Sequence, residues 1–208
     1  MVTKLTIANG ALRLLGEEPL TQSELTNNSR SPGRIFNSIW DDGGVKACLE
    51  AGQWRFAKRT VQIDYSPSVS PEFGFTYAFD KPTDWVRTVA VDSNALMQTP
   101  LKHYREEAGF WYSDFATMYV SYISDDTSFG NDYSLWPQSF LMYVQAYFAG
   151  EMEGPLTDKG GQVLKLREMR LRDALSKDAI TDPSRTLPVG SWVRARMGGL
   201  SAGRRENG

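Results

Sequence analysis

The chain has 208 residues, 41% of them hydrophobic and 12% aromatic, with 23 basic and 25 acidic side chains, one His and one Cys. That length and composition suit a packed domain and argue against wholesale disorder. A lone Cys48 excludes an intramolecular disulfide framework and a Cys-rich zinc site, and a lone His103 excludes a two-His metal motif.

The apolar stretches fall short of the roughly 18–20 residues that span a bilayer. The start Met1-Val2-Thr3-Lys4-Leu5 shows no signal-peptide pattern, so the expectation is a soluble chain made in a reducing compartment. Charge is unevenly spread. Residues 1–60 carry 8 basic and 6 acidic side chains, 61–135 carry 4 and 11, 136–180 carry 6 and 6, and 181–208 carry 5 and 2. An acidic middle repels a phosphate backbone, whereas a domain that grips DNA shows a basic surface.

In chain order, Leu5, Ala8, Leu12 and Leu15 line one face of a helix from about Lys4 to Leu15, which Gly16 and Pro19 stop. The polar stretch Glu17 to Arg30 reads as a loop. Ser31-Pro32 supplies an N-cap and an N1 proline for a second helix, with Ile35, Phe36, Ile39 and Trp40 as its stripe, running to about Gly52. Gly43-Gly44 costs roughly 1 kcal/mol per glycine relative to Ala, so a kink or break is expected there.

From Lys58 the apolar period falls to two. Val61, Ile63 and Tyr65 alternate, Phe73, Phe75, Tyr77 and Phe79 place four aromatics on one face of a single strand, and Trp85 to Val91 and Met118 to Tyr122 repeat the pattern. Turn signals at Ser66-Pro67, Lys81-Pro82-Thr83-Asp84, Asp92-Ser93-Asn94 and Asp125-Asp126 divide an antiparallel unit of four to six strands. Helical spacing returns near Trp136–Glu153, where Gly154-Pro155 ends it. Asp158 can cap a further helix to about Ala179, with Val163, Leu164, Leu166, Leu171, Ala174 and Leu175 in one arc and Arg167, Arg170 and Lys177 toward the other side.

The expected fold is therefore α+β. Residues 1–57 form an N-terminal helix pair, 58–130 an inserted antiparallel β unit and 131–180 a C-terminal helix pair, with 181–208 an extended basic tail. Packing both amphipathic pairs into one four-helix bundle is the economical arrangement, with the β unit as an excursion between helices two and three.

Chemistry-bearing motifs are scarce. There is no phosphate loop, dinucleotide fingerprint, Gly-x-Ser-x-Gly or His-Glu-x-x-His, so no cofactor, metal or catalytic residue is assigned. The carboxylate pairs Glu106-Glu107 and Asp125-Asp126 are adjacent residues beside turn signals, which suits solvated turn chemistry better than glycoside cleavage. His103 has no nearby nucleophile, Cys48 reads as a small buried hydrophobe, and the aromatics Phe73–Phe79 read as core.

Two features point further. Trp54-x-Phe56 sits where helix becomes strand and can plug the gap between bundle and sheet. Trp192-Val193-Arg194-Ala195-Arg196 in the tail, with Arg204-Arg205 beyond it, has the character of a partner-docking anchor.

The order of these signals resembles the tail tubular protein A (head-to-tail adaptor) family of short-tailed bacteriophages, over about residues 5–180. The resemblance is carried by Ala8-Asn9-Gly10-Ala11-Leu12-Arg13-Leu14-Leu15-Gly16-Glu17-Glu18-Pro19, by Trp54-Arg55-Phe56-Ala57 and by Tyr77-Ala78-Phe79-Asp80-Lys81-Pro82-Thr83-Asp84-Trp85-Val86-Arg87. Tyr119-Val120-Ser121-Tyr122-Ile123 followed by Trp136-Pro137-x-x-Phe140 completes it. Gly43-Gly44 departs from the family's uninterrupted helix. The resemblance implies a non-enzymatic virion protein: a ring of about twelve copies joining the portal to the tail nozzle around the exiting DNA, without membrane contact. Trp54, Phe56, Pro82, Asp84 and Arg87 would then form a structural junction, and Trp192, Arg194, Arg196, Arg204 and Arg205 would dock on the portal. The acidic stretch would partly face the channel or the tail. Rival readings are another neck or tail part (a stopper or tail-terminator), a carboxylate-dependent wall hydrolase, and a single-strand nucleic-acid or sugar-binding module.

Overall fold

The computed structural model describes residues 2–98, 100–156 and 161–180. Met1–Asp178 makes up one compact unit and Ala179–Gly208 a second, of which Ala179 and Ile180 are described. The fold is mixed α+β, with six α-helices and two small antiparallel sheets among the described residues.

Helix α1 spans Lys4–Leu15, capped by Thr3 in a capping box with Thr6 and ended by Gly16 at φ 76°, a left-handed conformation that glycine adopts freely. The expected loop from Glu17 to Arg30 instead contains a short helix, α2 (Gln22–Asn27). Its cause is local. Glu24 accepts from the Thr21 amide at 2.8 Å while Thr21 Oγ1 accepts from the Glu24 amide at 3.3 Å, and Leu25 is buried beneath.

The second expected helix is two. Helix α3 covers Ser31–Asp41 and α4 covers Gly44–Glu50, with Gly43 at φ 90° between them. A Cβ on Gly44 would lie 2.8 Å from the Ile39 carbonyl and from the Phe148 ring, so the break also lets α4 approach its neighbours closely. The cap of α3 is Arg30, one residue earlier than expected, and Ser31 and Pro32 lie in the first turn, where backbone amides need no helical acceptor.

After a 3-10 turn, Arg55–Ala57, the β unit begins. Strands β1 (Lys58–Asp64), β6 (Thr117–Ser124) and β3 (Trp85–Asp92) form one sheet in the order β1-β6-β3. Strands β2 (Tyr77–Asp80), β5 (Phe110–Ser113) and β4 (Arg105–Glu107) form the other, in the order β2-β5-β4. Phe79, Val91, Trp111, Met118, Val120 and Tyr122 from the two sheets share a small core. Bulges between Trp85 and Arg87 and between Thr88 and Ala90 interrupt the regular alternation of β3.

The aromatic run is not one strand. Strand β2 starts only at Tyr77, because the Phe75 amide turns back onto the Phe73 carbonyl and the Thr76 amide is held by Asp114 Oδ1 at 3.1 Å.

A second 3-10 turn, Tyr133–Leu135, leads into α5 (Gln138–Leu156). Helix α5 runs through Pro155 rather than stopping before it; only Leu156 follows, so the missing donor is confined to the last turn. Helix α6 covers Gln162–Ile180, and the expected cap Asp158 lies outside the described residues. Its facing also differs from expectation: Leu164 points to solvent, whereas Arg167 and Arg170 are half-buried against α5. The Arg167 guanidinium lies 4.3 Å from the Tyr147 ring centre and 2.9 Å from Glu151 Oε1, so its apolar stem and planar head both find partners there.

The main core draws on both ends of the chain. Ile7, Leu12, Phe36, Leu49, Phe140, Val144, Phe148 and Ala174 belong to a single buried cluster that also takes in Ala57, Val86 and Ile123 from the sheet side. Gly10 permits the approach of α1 to α5, since a Cβ there would lie 2.2 Å from the Gln145 side chain.

Candidate functional site: the helix-to-sheet junction

The chain crosses from helix to sheet at Trp54. Its ring is buried 4.7 Å from Phe140 and 6.2 Å from Tyr143, and its Nε1–H donates to the Cys48 carbonyl at 3.0 Å. Phe56 packs 4.8 Å from the same Phe140 ring. Gly52 is required beside them, because a Cβ would stand 2.7 Å from Leu175 and 2.8 Å from Trp54. The Arg55 amide donates to Asp178 Oδ1 at 3.2 Å, so α6 grips the same turn. Trp54 and Phe56 thus pack chiefly against α5.

Asp84 is the polar centre of the crossing. Pro82 closes the turn before it by accepting the Trp85 amide at 3.0 Å. The Asp84 carboxylate then accepts from Arg59 Nη1 at 2.9 Å, from the Tyr122 hydroxyl at 3.1 Å and from the Ser124 hydroxyl at 2.5 Å. Burial alone would raise its pKa, but the hydrogen bonds from Ser124, Arg59 and Tyr122 outweigh it and hold the carboxyl below the usual range. Its backbone carbonyl also accepts the Asp125 amide at 3.0 Å. One side chain thus ties β1, β3 and β6 together where they meet the helices.

Two further straps reach α4. Arg87 Nη1 donates to the Glu50 carbonyl at 3.1 Å, and Lys46 Nζ lies 3.4 Å from Asp125. An open groove of about 450 Å³ runs alongside, lined by Glu50, Trp85, Val86, Arg87, Thr88 and Glu106. At its edge Lys81 Nζ sits 3.7 Å from the Trp85 ring centre and 2.7 Å from Glu106 Oε1. The indoles of Trp85 and Trp111, one from each sheet, both donate to Thr88 Oγ1, at 3.1 and 3.0 Å.

The other sequence candidates scatter. Glu106 and Glu107 belong to strand β4, not to a turn, and pair with different cations, Lys81 and Arg105. Asp126 accepts the Ser128 amide at 2.8 Å, so Asp125 and Asp126 organise the exit turn. His103 is exposed, 3.7 Å from Asp114 and 4.9 Å from the Phe75 ring. Cys48 is buried, which pushes its thiol pKa up strongly. Among the described residues no three His, Cys, Asp or Glu gather in a metal-holding group. Trp192, Arg194, Arg196, Arg204 and Arg205 lie outside the described residues. Sequence reasoning missed Arg59, Tyr122 and Ser124 as partners of Asp84; the alternate spacing of Tyr122 and Ser124 on β6 was the available signal. Scans against models of protein families and against curated proteins found no match to this chain.

Proposed function

We propose that this chain is a head-to-tail adaptor of a short-tailed bacteriophage virion, a ring of about twelve copies that joins the portal to the tail nozzle and surrounds the DNA exit channel. The observation that carries the reading is the junction. Helices from before and after the β unit share one core, and the β unit is strapped to it by a tryptophan plug, a carboxylate hub and two links to α4. A connector needs this, because it must hold two assemblies in fixed relation while duplex passes through.

Residues quoted for the family resemblance have physical work in this fold. Asn9 clamps Leu20 through two hydrogen bonds of 2.9 and 2.8 Å, Gly10 admits Gln145, and Asp84 and Arg87 secure the sheet. In this reading α1, the α3–α4 pair, α5 and α6 act as the four rods of a bundle and form the ring wall. The role is structural, without catalysis or membrane contact; among the described residues no helix is long and apolar enough to cross a bilayer. The tail residues Trp192, Arg194, Arg196, Arg204 and Arg205 serve as the portal anchor.

The test is co-sedimentation of the full chain with DNA-filled, tailless heads. Binding to portal-bearing heads is expected, and removal of residues 181–208 should abolish it while leaving a folded protein. Absence of wild-type binding would overturn the adaptor reading; binding by the truncated chain would overturn the anchor.

A further inference from the structure

Each sheet has two edge strands, and three of these four edges are blunted. Strand β3 carries two bulges, and its Val91 carbonyl is taken by the Leu101 amide at 2.7 Å. Strand β2 is four residues long and gives its Ala78 carbonyl to the Ser66 amide at 2.7 Å. Strand β4 is three exposed charged residues. Short, bulged or highly charged edges resist pairing with another chain.

Strand β1 is neither short nor bulged. Its seven residues run in unbroken register with β6, from Lys58 opposite Ile123 to Asp64 opposite Thr117. The Tyr65 amide donates to the Ala116 carbonyl directly opposite, at 3.2 Å, so that register continues with Tyr65 in a hydrogen-bonded pair. Such pairs alternate along antiparallel strands. Arg59, Val61 and Ile63 therefore bond inward to β6, while Lys58, Thr60, Gln62 and Asp64 aim their N–H and C=O groups away from it. Among the described residues only one of these outward groups has another backbone partner: the Lys58 amide donates to the Arg55 carbonyl.

The side chains follow the same alternation. Val61 and Ile63 pack on the core between the sheets. Thr60, Gln62 and Asp64 are exposed and each bonds across to β6, to Ser121 at 3.2 Å, Tyr119 at 3.2 Å and Thr117 at 2.8 Å. Lys58 at one end of the strand and Asp64 at the other have no oppositely charged partner among the described residues.

We propose that β1 pairs edge to edge with the β1 of a second copy, antiparallel about a two-fold axis at Val61. In that register Lys58 stands opposite Asp64 of the second copy, Thr60 opposite its Gln62, and Val61 opposite its counterpart. Thr60 and Gln62 exchange the main-chain bonds that each copy leaves open, and the outer face matches cation to anion and hydroxyl to amide. A slip of two residues would set Lys58 against Gln62 or Thr60 against Asp64 and leave charges unmatched. A slip of one would set the exposed face of one copy against the core face of the other. The contact is isologous, so two copies satisfy it and it does not propagate. It does not rest on the adaptor reading, because a cyclic ring is built from heterologous contacts; it pairs free chains ahead of ring assembly.

The test is sedimentation equilibrium of the full chain at neutral pH, where a mass of two chains is expected. Gln62→Pro deletes an outward amide and no bond to β6, and should abolish pairing. Lys58→Asp or Asp64→Lys alone should weaken pairing roughly tenfold, and the two together should restore it. Under mild oxidation Val61→Cys should give a linked dimer and Ile63→Cys should not; buried Cys48 does not compete. Circular dichroism confirms folding of each variant. A single-chain mass at every concentration overturns the contact, as does a dimer indifferent to Gln62→Pro and to the charge exchange. Assemblies larger than two that survive Gln62→Pro also overturn it, in favour of a heterologous contact elsewhere. Wild-type binding to portal-bearing heads without pairing refutes this contact alone, whereas pairing without head binding refutes the adaptor reading alone.

Discussion

Replacing Asp84 by Asn removes one charge and reverses one hydrogen-bonding group while keeping the shape. The carboxylate is 13% exposed and accepts from three side chains; the Asn amide would point a donor at groups that are themselves donors. Arg59 is 37% exposed, so water screens the ion pair and its share stays below about 1 kcal/mol. Each hydroxyl bond to the charged oxygen contributes on the order of 1 kcal/mol net. The expected loss at neutral pH is therefore about 2–3 kcal/mol. Urea unfolding of both proteins, followed by far-ultraviolet circular dichroism, measures it.

The pH dependence supplies the sharper check. The folded carboxyl titrates below its unfolded value of about 3.9, so its stabilisation is full above that value and is lost as pH falls through the lower, folded pKa. The gap between wild type and Asp84→Asn should stay constant from pH 7 to 5 and shrink below about pH 4. A difference under about 1 kcal/mol at pH 7, or one that does not narrow in acid, would refute the hub.

Three further outcomes follow from the same geometry. Gly130→Ala sets a Cβ 2.2 Å from the Ser124 backbone carbonyl, which cannot swing aside, and should destabilise by about 2–3 kcal/mol in the same urea measurement. Trp54→Ala should cost about 3–5 kcal/mol, and Trp54→Phe less, since Phe keeps a ring beside Phe140 while losing part of the indole's packing and the bond to the Cys48 carbonyl. Cys48 should resist a thiol reagent in the native protein and react at the rate of unfolding, observable as a reaction rate independent of reagent concentration.

How much of this was legible in the sequence depended on how local the cause was. The bounds of α1, the break at Gly43 and the start of β1 at Lys58 follow from spacing and from glycine, signals contained within a few residues. Helix α2 was hidden because its polar composition masked a capping box, Thr21 with Glu24, that is written in the chain. Strand β4 reads Arg-Glu-Glu, all exposed; an edge strand needs no apolar face, so periodicity carries no trace of it. The junction was half legible. Trp54, Phe56 and Asp84 stand out beside a change of period or a proline, but the donors that make Asp84 a hub lie 25, 38 and 40 residues away and arrive only through strand pairing. Arg167 and Arg170 misled because charge suggested solvent, while their stems and planar heads suit a tyrosine face and a helix carbonyl.

Strand β6 lies between β1 and β3, and both β1 and β6 join the helices at the same end of the sheet. A pull directed from the far loops toward the helices would therefore run along the strands, crosswise to their hydrogen bonds. That load would pass side by side along the covalent backbones of β1 and β6, each of which runs unbroken from the helix end to the far loops, and would leave the hydrogen bonds between them to keep the strands in register.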